Sequence, residues 1–430
     1  MAANGNSLGQ SLLKNYGNCL CEYHGKGVII LDNGKKFDCL FGAGQLTNGQ
    51  VLLLCDFLPP LPTYLSISAT KFEGTTSDGF RICATEAFSE TSYLPDIPID
   101  RSWEVWAAFH IHKIVIQIAE GGQSQSLHFG ITNFEFIGTE PTRGPDNSFY
   151  LTLSLDLQSD SGSTRLLIKP LDLNGKIMKR VRTLKGIDVS CEIIVEIHAD
   201  GDVAVVTELV DDLCYILSVA RGTKIQWVYC DSYDGSGKLL SRNLCSRITK
   251  PYCPLKIIHP AAGGGKETKT FIEQAYPAYV NRHKSYKLDK GTIDAYLDAK
   301  AEADFLEMRG VKFAVSMEIL KKVFCKTMNI KGGSFKSLIE NLCNSINLNV
   351  SKQEIDLFVK SRNSLIHGGE FFCIAATPKQ RERFKVHSTQ TEEYLFLVNF
   401  LDRVFLKLLG YSGPYIDWRI PGNPIHRDQV

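Results

Sequence analysis

The sequence predicts an α+β multidomain protein, with a β-rich N-terminal half of sandwich-like lobes followed by an all-α helical bundle. Three observations predict this class. Strand-like alternation of apolar and polar residues recurs over residues 20–255 without intervening helical patterns. Proline and glycine interrupt residues 254–290. From Thr292 onward, apolar residues recur at helical spacing.

The composition is that of a soluble globular protein. The chain has 430 residues, 44% hydrophobic and 22% charged, which is enough for two to four domains. The N-terminus lacks a basic segment followed by an apolar run, so no signal peptide is predicted. The most apolar stretch, Tyr394–Leu409, carries four polar or charged residues, which argues against a membrane span.

The cysteines indicate a reducing compartment. There are thirteen, an odd number, and none forms a CxxC pair. We therefore expect free thiols and a cytoplasmic location. Cys19, Cys21 and His24 are the nearest approach to a metal cluster, but their spacing does not fit a zinc knuckle, so no metal or cofactor is predicted.

The β-rich region is predicted to cover residues 1–253. Two strand-like runs flank Asn33-Gly34, a strong hairpin signal, and a second hairpin is predicted to turn at Asp200-Gly201. The polar stretch at 121–126 predicts a division into two lobes. A regulatory or sensing role is expected for this region.

Residues 254–290 are predicted to be a linker. Its "PAAGGGKET" stretch lacks the Walker spacing, because Pro260 stands where the first glycine is needed. Basic and aromatic residues alternate in 279–290, which suits RNA contacts, and a solvated linker is the alternative. The candidate RNA-binding residues are Arg282, Lys284 and Lys287. Residues 256–430 carry 26 basic and 19 acidic side chains, against 22 and 28 in residues 1–255.

The helical bundle is predicted over residues 291–430, with four or five helices. One of them should begin at Ser351, because Ser351 with Glu354 makes a capping box pattern. It should end at Gly368 and Gly369, since glycine tolerates the left-handed conformation past a helix. The helix near residues 394–409 is apolar around much of its circumference, so it should be buried on several sides or contribute to a dimer face.

An arginine lies on the apolar side of the Ser351–His367 helix. At about 100° per residue, Arg362 falls near the middle of that face, while Asn363 and His367 lie one turn apart on its flank. The apolar residues of the face are Ile355, Phe358, Val359, Leu365 and Ile366. A guanidinium there needs a carboxylate or the phosphate of a ligand. The alternative is a snorkelling arginine beside a histidine at a helix end.

Three motifs in this half resemble the HEPN superfamily, and within it the ApeA-like domains of prokaryotic anti-phage proteins. They are "FAVSMEIL" at 313–320, "SRNSLIHGG" at 361–369 and "FLDRVFLKLLGYSGPYIDW" at 400–418, and the resemblance covers roughly residues 295–418. It implies metal-independent endoribonuclease activity, usually in a dimer, with the family's Arg-x4–6-His motif at Arg362 and His367. Asn363 matches the polar residue after the arginine, and Glu318 matches an acidic residue of the first long helix.

The resemblance gives these residues chemical roles. His367 is the acid/base candidate because histidine titrates near neutrality, and Arg362 is the phosphate clamp. Asn363 would orient the histidine or hold the phosphate. Attack by the RNA 2′-OH would leave 2′,3′-cyclic phosphate ends, and a two-fold dimer would supply a second His367.

The implied biology is anti-phage defence by abortive infection. The expected partners are RNA, with tRNA among the candidates, a second copy of the chain, and a phage-derived trigger; no membrane partner is expected. The alternative is a non-catalytic HEPN protein that dimerises or senses a ligand.

Overall fold

The computed structural model describes residues 13, 16, 19–47, 49–59, 68–93, 106–143, 147, 149–159, 162–171, 175–184, 187–197, 202–247, 253–286, 290–301, 305–420 and 425–426. The chain forms two compact units. The first comprises Met1–Thr132, Ile187–Val206 and Gln226–Thr249, and the second comprises Asn133–Gly186, Thr207–Ile225 and Lys250–Val430. The chain therefore passes between the units several times, whereas the sequence predicts consecutive segments.

A closed antiparallel barrel of six strands lies in the first unit. Its strands follow the order β3-β2-β1-β4-β5-β6, and pairing of β3 with β6 closes the ring. The strands are β1 (Cys19–Leu31), β2 (Lys36–Leu46), β3 (Val51–Phe57), β4 (Ser68–Thr76), β5 (Arg81–Tyr93) and β6 (Trp106–Gln117). The β-rich prediction is confirmed, but the sandwich-like arrangement is wrong, since closure of one sheet leaves no second sheet to pack against it.

The hairpin at Asn33-Gly34 is confirmed. β1 pairs with β2 from Ile30 opposite Lys36 onward, and Gly34 has the positive φ of 76° that a tight turn requires. Alternate residues of the strands then point into the barrel, where Ile29, Phe41 and other apolar side chains are fully or almost fully buried.

Further strands extend this sheet beyond β6. β13 (Leu239–Cys245) pairs with β6, β12 (Trp227–Tyr233) with β13, β7 (Ser126–Thr132) with β12, and β11 (Val189–Glu196) with β7. Residues 121–126 connect β6 to β7 inside the same unit. The boundary between the units falls at Thr132/Asn133 and not at this polar stretch.

The second predicted hairpin is wrong. Its first strand exists as β11, but the residues after the predicted turn form a helix, Val203–Arg221. Asp200-Gly201 lies outside the described residues. The apolar residues continue at helical spacing well beyond residue 209, and Asp202 Oδ1 accepts a hydrogen bond from Ala204 N at the helix start.

The second unit combines a short sheet with helices. Its strands are β8 (Glu140–Arg143), β9 (Phe149–Ser159) and β10 (Gly162–Pro170), paired in that order, with a two-stranded pairing of β14 (Tyr415–Ile416) and β15 (Ile425–His426). We number the helices α1 (Lys176–Leu184), α2 (Val203–Arg221), α3 (Lys266–Tyr286), α4 (Lys290–Lys300), α5 (Leu306–Thr327), α6 (Phe335–Ser345), α7 (Lys352–Gly368), α8 (Phe372–Ala375), α9 (Pro378–Phe384) and α10 (Gln390–Leu408). The predicted C-terminal helical region is thus confirmed.

Helix α10 lies at the centre of the helical region. Thirteen of its nineteen residues are buried, including Glu393 and Asp402. Most of its circumference is therefore covered within the chain, which confirms the prediction that this helix is buried on several sides. Gly410, with φ of 71°, follows the helix end.

The segment predicted as a linker contains helix α3. Helix α3 begins directly after Gly265, which has a positive φ of 91°. Only glycine fits at this position, because a Cβ would lie 2.0 Å from the Ile137 carbonyl oxygen. Tyr279, which belongs to the predicted RNA-contacting stretch, is fully buried. No helix of the described residues is long and apolar enough to cross a membrane.

Candidate functional site

Helix α7 carries the predicted site residues, and both of its ends are fixed. Ser351 Oγ accepts a hydrogen bond from Glu354 N, and Glu354 Oε2 accepts one from Ser351 N at 3.0 Å, which makes a complete capping box. At the other end Gly369 adopts a left-handed φ of 73°. Both predicted helix boundaries are confirmed.

Two contacts anchor α7 to the central helix α10. Phe358 stacks on Phe400 with ring centroids 4.5 Å apart, and Arg403 Nη2 lies 2.7 Å from Glu354 Oε1. Burial opposes the charged form of Glu354, but the hydrogen bonds from Ser351 and the Arg403 guanidinium outweigh it and lower the pKa of Glu354. The start of α7 is therefore held by an ionised carboxylate.

The buried face of α7 differs from the predicted one. It comprises Ile355, Leu357, Phe358, Ser361 and Leu365. Ile366 is 37% exposed, so the prediction that it belongs to the packing face is wrong, and Arg362 lies at the edge of that face and not at its middle. Leu357 widens the buried side away from Ile366, which shifts the centre of the face by about 70° around the helix axis.

Arg362 is paired with a carboxylate of the neighbouring helix α5. Its Nη2 lies 2.5 Å from Glu318 Oε1, and its Nη1 donates to Asn363 Oδ1 at 2.8 Å. Its Nε is buried and has no hydrogen-bond partner among the described residues. The side chains of Arg362 and Glu318 are 18% and 29% exposed, so an anion could approach the pair from solvent. Glu318 thus faces Arg362, a contact that the sequence alone left undecided.

Two further residues complete this cluster, and the sequence reasoning did not find them. Lys321 Nζ lies 2.5 Å from Glu318 Oε2, so one carboxylate holds two cations. Both cations lie over the ring of Phe335, with the guanidinium carbon of Arg362 4.9 Å and Lys321 Nζ 5.0 Å from its centroid. Lys321 could have been found from its i,i+3 spacing to Glu318. Phe335 could not, because it begins helix α6 and its approach depends on how α6 packs against α5 and α7.

His367 lies apart from this cluster within one chain. It occupies the exposed last turn of α7, and its side chain makes no hydrogen bond or ion pair with any other described residue. It lies five positions after Arg362, so the two side chains point about 140° apart around the helix axis. Asn363 is exposed on the same side as His367, one turn earlier. The chain therefore brings Arg362, Asn363 and Glu318 together, and leaves His367 open to solvent.

No family model, curated protein or solved structure matches this chain. The resemblance of residues 295–418 to ApeA-like HEPN domains therefore stays a prediction from the three motifs. The function must be inferred from the side chains around Arg362 and His367 and from the surface in which they lie.

An apolar surface flanks the cluster on α5 and α7. Met308 is 50% exposed, Val315 is 41% exposed one heptad later on the same side of α5, and Ile366 follows Arg362 by one turn on α7. The two helices pack closely, since a Cβ on Gly310 would lie 2.9 Å from Leu365 Cδ1. Exposed aliphatic side chains next to charged ones are typical of an interface between subunits.

The candidate RNA-binding residues are only partly placed. The backbones of Arg282 and Lys284 belong to the last turns of α3, but their side chains lie outside the described part of the structure, as does all of Lys287. Within the described residues there is no group of three or more His, Cys, Asp or Glu side chains that could hold a metal ion.

Proposed function

We propose that this chain is a metal-independent endoribonuclease of the HEPN type that acts as a homodimer in the cytoplasm, in anti-phage defence by abortive infection. The observation that carries the proposal is a half-buried Arg362 that pairs with Glu318 and shares helix α7 with an exposed His367, on a surface that also presents exposed apolar side chains. RNA, with tRNA among the candidates, is the substrate, and a phage-derived molecule is the expected trigger.

The chemistry requires three groups at one phosphate. A base removes the proton of the 2′-OH, whose oxygen then attacks the neighbouring phosphorus. A cation stabilises the negative charge of the pentacoordinate phosphorane, and an acid protonates the departing 5′ oxygen. His367 would serve as base or acid, and the planar guanidinium of Arg362 suits two phosphate oxygens.

A second copy would supply what one chain lacks. One histidine acts as base or acid but not as both at the same moment, and His367 does not reach Arg362 within its own helix. A two-fold contact through the Met308, Val315 and Ile366 surface would bring a second His367 to the seam. Burial of these three side chains would favour the contact.

Glu318 would restrain the site until RNA arrives. It now accepts the hydrogen bond that Arg362 Nη2 would give to a phosphate, and it also neutralises Lys321. A phosphate must therefore compete with a carboxylate for the guanidinium. Such competition would keep weakly binding RNAs from being cleaved.

The test is RNA cleavage by the purified full chain in EDTA. We expect wild-type protein to cleave, and His367→Ala to lose about 10²–10⁴-fold in rate, because a positioned acid/base group typically contributes that much. His426→Ala, which removes a histidine of the β14–β15 pairing, is the matched control and should cleave normally. Cleavage by His367→Ala at the wild-type rate would refute the assignment, and absence of cleavage by every preparation would favour the non-catalytic dimerising or sensing protein.

A further inference from the structure

A cavity lies in the second unit, lined by segments that the proposed ribonuclease site does not use. Its volume is about 640 Å³, within the range of small-molecule sites. The walls come from the chain after β7, from the end of α1, from residues 254–261 before α3, and from Trp418 near the C-terminus. Neither Arg362 nor His367 lines it.

Cations outnumber carboxylates in this cavity. Arg182 and Lys256 line it, and Glu135 is the one carboxylate among its described lining residues. His259 also lines it, but burial and the charge of Lys256 lower its pKa, so it does not add a positive charge at neutral pH. Glu135 is shared between the two cations: its Oε1 is bonded to Arg182, and its Oε2 lies 3.3 Å from Lys256 Nζ. Burial lowers the pKa of Lys256, and the positive charges of Arg221 and Arg182 lower it further. The Glu135 carboxylate raises this pKa but does not offset the decrease. An anionic ligand would relieve this repulsion.

A buried arginine joins two of the segments that line the cavity. Arg221 is 3% exposed, and its Nε donates to the Glu135 carbonyl oxygen at 2.7 Å. Its Nη1 donates to the Ile258 carbonyl oxygen at 2.7 Å, and its Nη2 to Thr268 Oγ1 at 3.0 Å. These bonds join the segment after β7 to the segment before α3. The cationic groups above them are therefore positioned before any ligand arrives, which lowers the entropy cost of binding.

Two aromatic side chains give the cavity flat apolar walls. The Trp418 indole is half-buried, and its Nε1 donates to the Lys256 carbonyl oxygen at 2.8 Å, which fixes the ring beside the lysine. Phe136 is also half-buried and stacks on Phe134, with centroids 5.4 Å apart and planes within 11°. Each ring keeps exposed surface on which a planar ligand could stack.

We infer that this cavity binds a nucleotide, with its phosphate on Lys256 and Arg182 and its base against Trp418 or Phe136. Lysine and arginine together are suited to phosphate oxygens, and the aromatic rings to the face of a base. A small carboxylate would satisfy the cations but leave both rings bare and most of the volume empty. A purely aromatic ligand would leave the excess positive charge without a partner.

The experiment is isothermal titration calorimetry of the full chain with AMP, ADP, ATP and GTP at physiological salt. We expect one of these nucleotides to bind one site per chain with a Kd below about 100 μM, the affinity of a modest preformed pocket. Inorganic pyrophosphate, which has the charge but no base, should bind at least about tenfold more weakly, since stacking would be lost.

Substitutions locate the ligand. Lys256→Ala and Arg182→Ala should each raise the Kd about tenfold, as expected for loss of one charge-assisted contact to phosphate. Arg182 is half-exposed, so its replacement should leave the fold intact even if Lys256→Ala destabilises the chain. Lys179→Ala removes an exposed charge from the same helix α1 outside the cavity, and it should bind like wild type. The Arg362→Ala/His367→Ala double variant should also bind normally, which separates this inference from the proposed ribonuclease.

Three results would overturn the inference. They are no binding of any of the four nucleotides, pyrophosphate binding as tightly as the best nucleotide, and an unchanged Kd in Arg182→Ala when the variant is folded by circular dichroism. The second result would mean a simple anion site, and the third would place the nucleotide elsewhere.

Discussion

At the scale of single residues, Arg362 is the side chain on which the proposed activity depends. It lies at the edge of a packed helix face, and its guanidinium is divided between Asn363 and Glu318 while Phe335 lies beneath it. A flexible surface arginine would have neither the fixed plane nor the two partners. The fork of Arg362 is therefore already oriented toward the edge where a phosphate would enter.

Replacement of Arg362 by lysine should abolish most of the RNA cleavage. Lysine keeps the charge but not the planar pair of donors, so we expect a loss of about 10²-fold or more in kcat/KM, comparable to the loss of one oxyanion donor. The measurement is initial cleavage rate in EDTA, with Lys322→Arg on the exposed side of α5 as a control that retains charge. Full activity of Arg362→Lys would show that only charge matters and that the clamp is misassigned.

The sequence predicted this site in part. The capping box, the glycine stop and the need of Arg362 for an anionic partner followed from α7 alone. Lys321 and Phe335 were missed because their approach depends on how α5, α6 and α7 pack, and side-chain spacing within one helix carries no such information. Ile366 was assigned to the wrong face because apolar residues are not always buried.

At the scale of secondary-structure elements, the start of α7 depends on the ionised form of Glu354. The capping box uses one side-chain oxygen of Glu354, and the Arg403 ion pair needs its ionised carboxylate. Because the pKa of Glu354 is lowered in the folded chain, its stabilisation is fully present above the ordinary pKa of glutamate. It is lost as the pH falls from that range through the lowered pKa.

Glu354→Gln should keep the capping box, which glutamine also forms, but lose the ion pair with Arg403. It should therefore destabilise the chain at neutral pH by about 1 kcal/mol, and the deficit should shrink on acidification. Urea unfolding of wild type and Glu354→Gln, at neutral pH and at pH values below the ordinary pKa of glutamate, measures this difference in the free energy of unfolding. Glu370→Gln, an exposed glutamate after the helix end, is the control and should have no effect. A deficit that stays constant with pH would contradict the ionised cap.

A buried ion pair joins α4 to α10. Lys300 and Asp402 are fully buried, with Lys300 Nζ 2.7 Å from Asp402 Oδ1, and the Tyr296 hydroxyl donates to the same oxygen. Burial raises the pKa of Asp402, although Lys300 and Tyr296 oppose that change. Removal of either charge alone leaves the other in an apolar interior.

Asp402→Leu should lower the free energy of unfolding by about 3–5 kcal/mol, whereas the Lys300→Met/Asp402→Leu double variant should be less affected than the sum of the Lys300→Met and Asp402→Leu changes. A double-mutant cycle by urea unfolding measures the coupling. Strict additivity of the two single substitutions would show that the pair is not coupled.

One helix, α2, was predicted as a strand, whereas most other elements were predicted with the correct type. The strands of the barrel and helices α5, α6, α7 and α10 had clear periods, so their type was predicted correctly. Helix α2 was taken for a strand because its first residues, Val203–Val206, are β-branched or small and follow a real strand. Closure of the barrel depends on the pairing of β3 with β6, which are distant in sequence, and local patterns do not encode such pairings.

At the scale of the whole molecule, the proposed activity requires two copies. Met308 and Val315 of α5 and Ile366 of α7 are exposed on two of the helices that carry the Arg362 cluster, whereas most of the apolar helix α10 is buried within the chain. The dimer surface is therefore expected on α5 and α7. Both copies of His367 would then approach one seam.

Ile366→Glu should convert the expected dimer to a monomer and abolish RNA cleavage, because it places a charge in an apolar contact. Ile420→Glu is a matched control: Ile420 is 39% exposed against 37% for Ile366, but it lies outside both helices. Light scattering at micromolar concentration gives the mass, and the cleavage assay in EDTA gives the activity. A monomeric wild-type protein with full activity would exclude the two-copy site.

The most direct measurement of the central claim is the chemistry of the RNA ends after cleavage in EDTA by the purified full chain. Attack by the 2′-OH predicts products with a 2′,3′-cyclic phosphate and a 5′-OH, which accept a 5′ label without prior phosphatase treatment. These products should disappear with His367→Ala. Products with a 5′-phosphate, which need phosphatase before labelling, would instead indicate attack by an activated water and would contradict the proposed roles of His367 and Arg362.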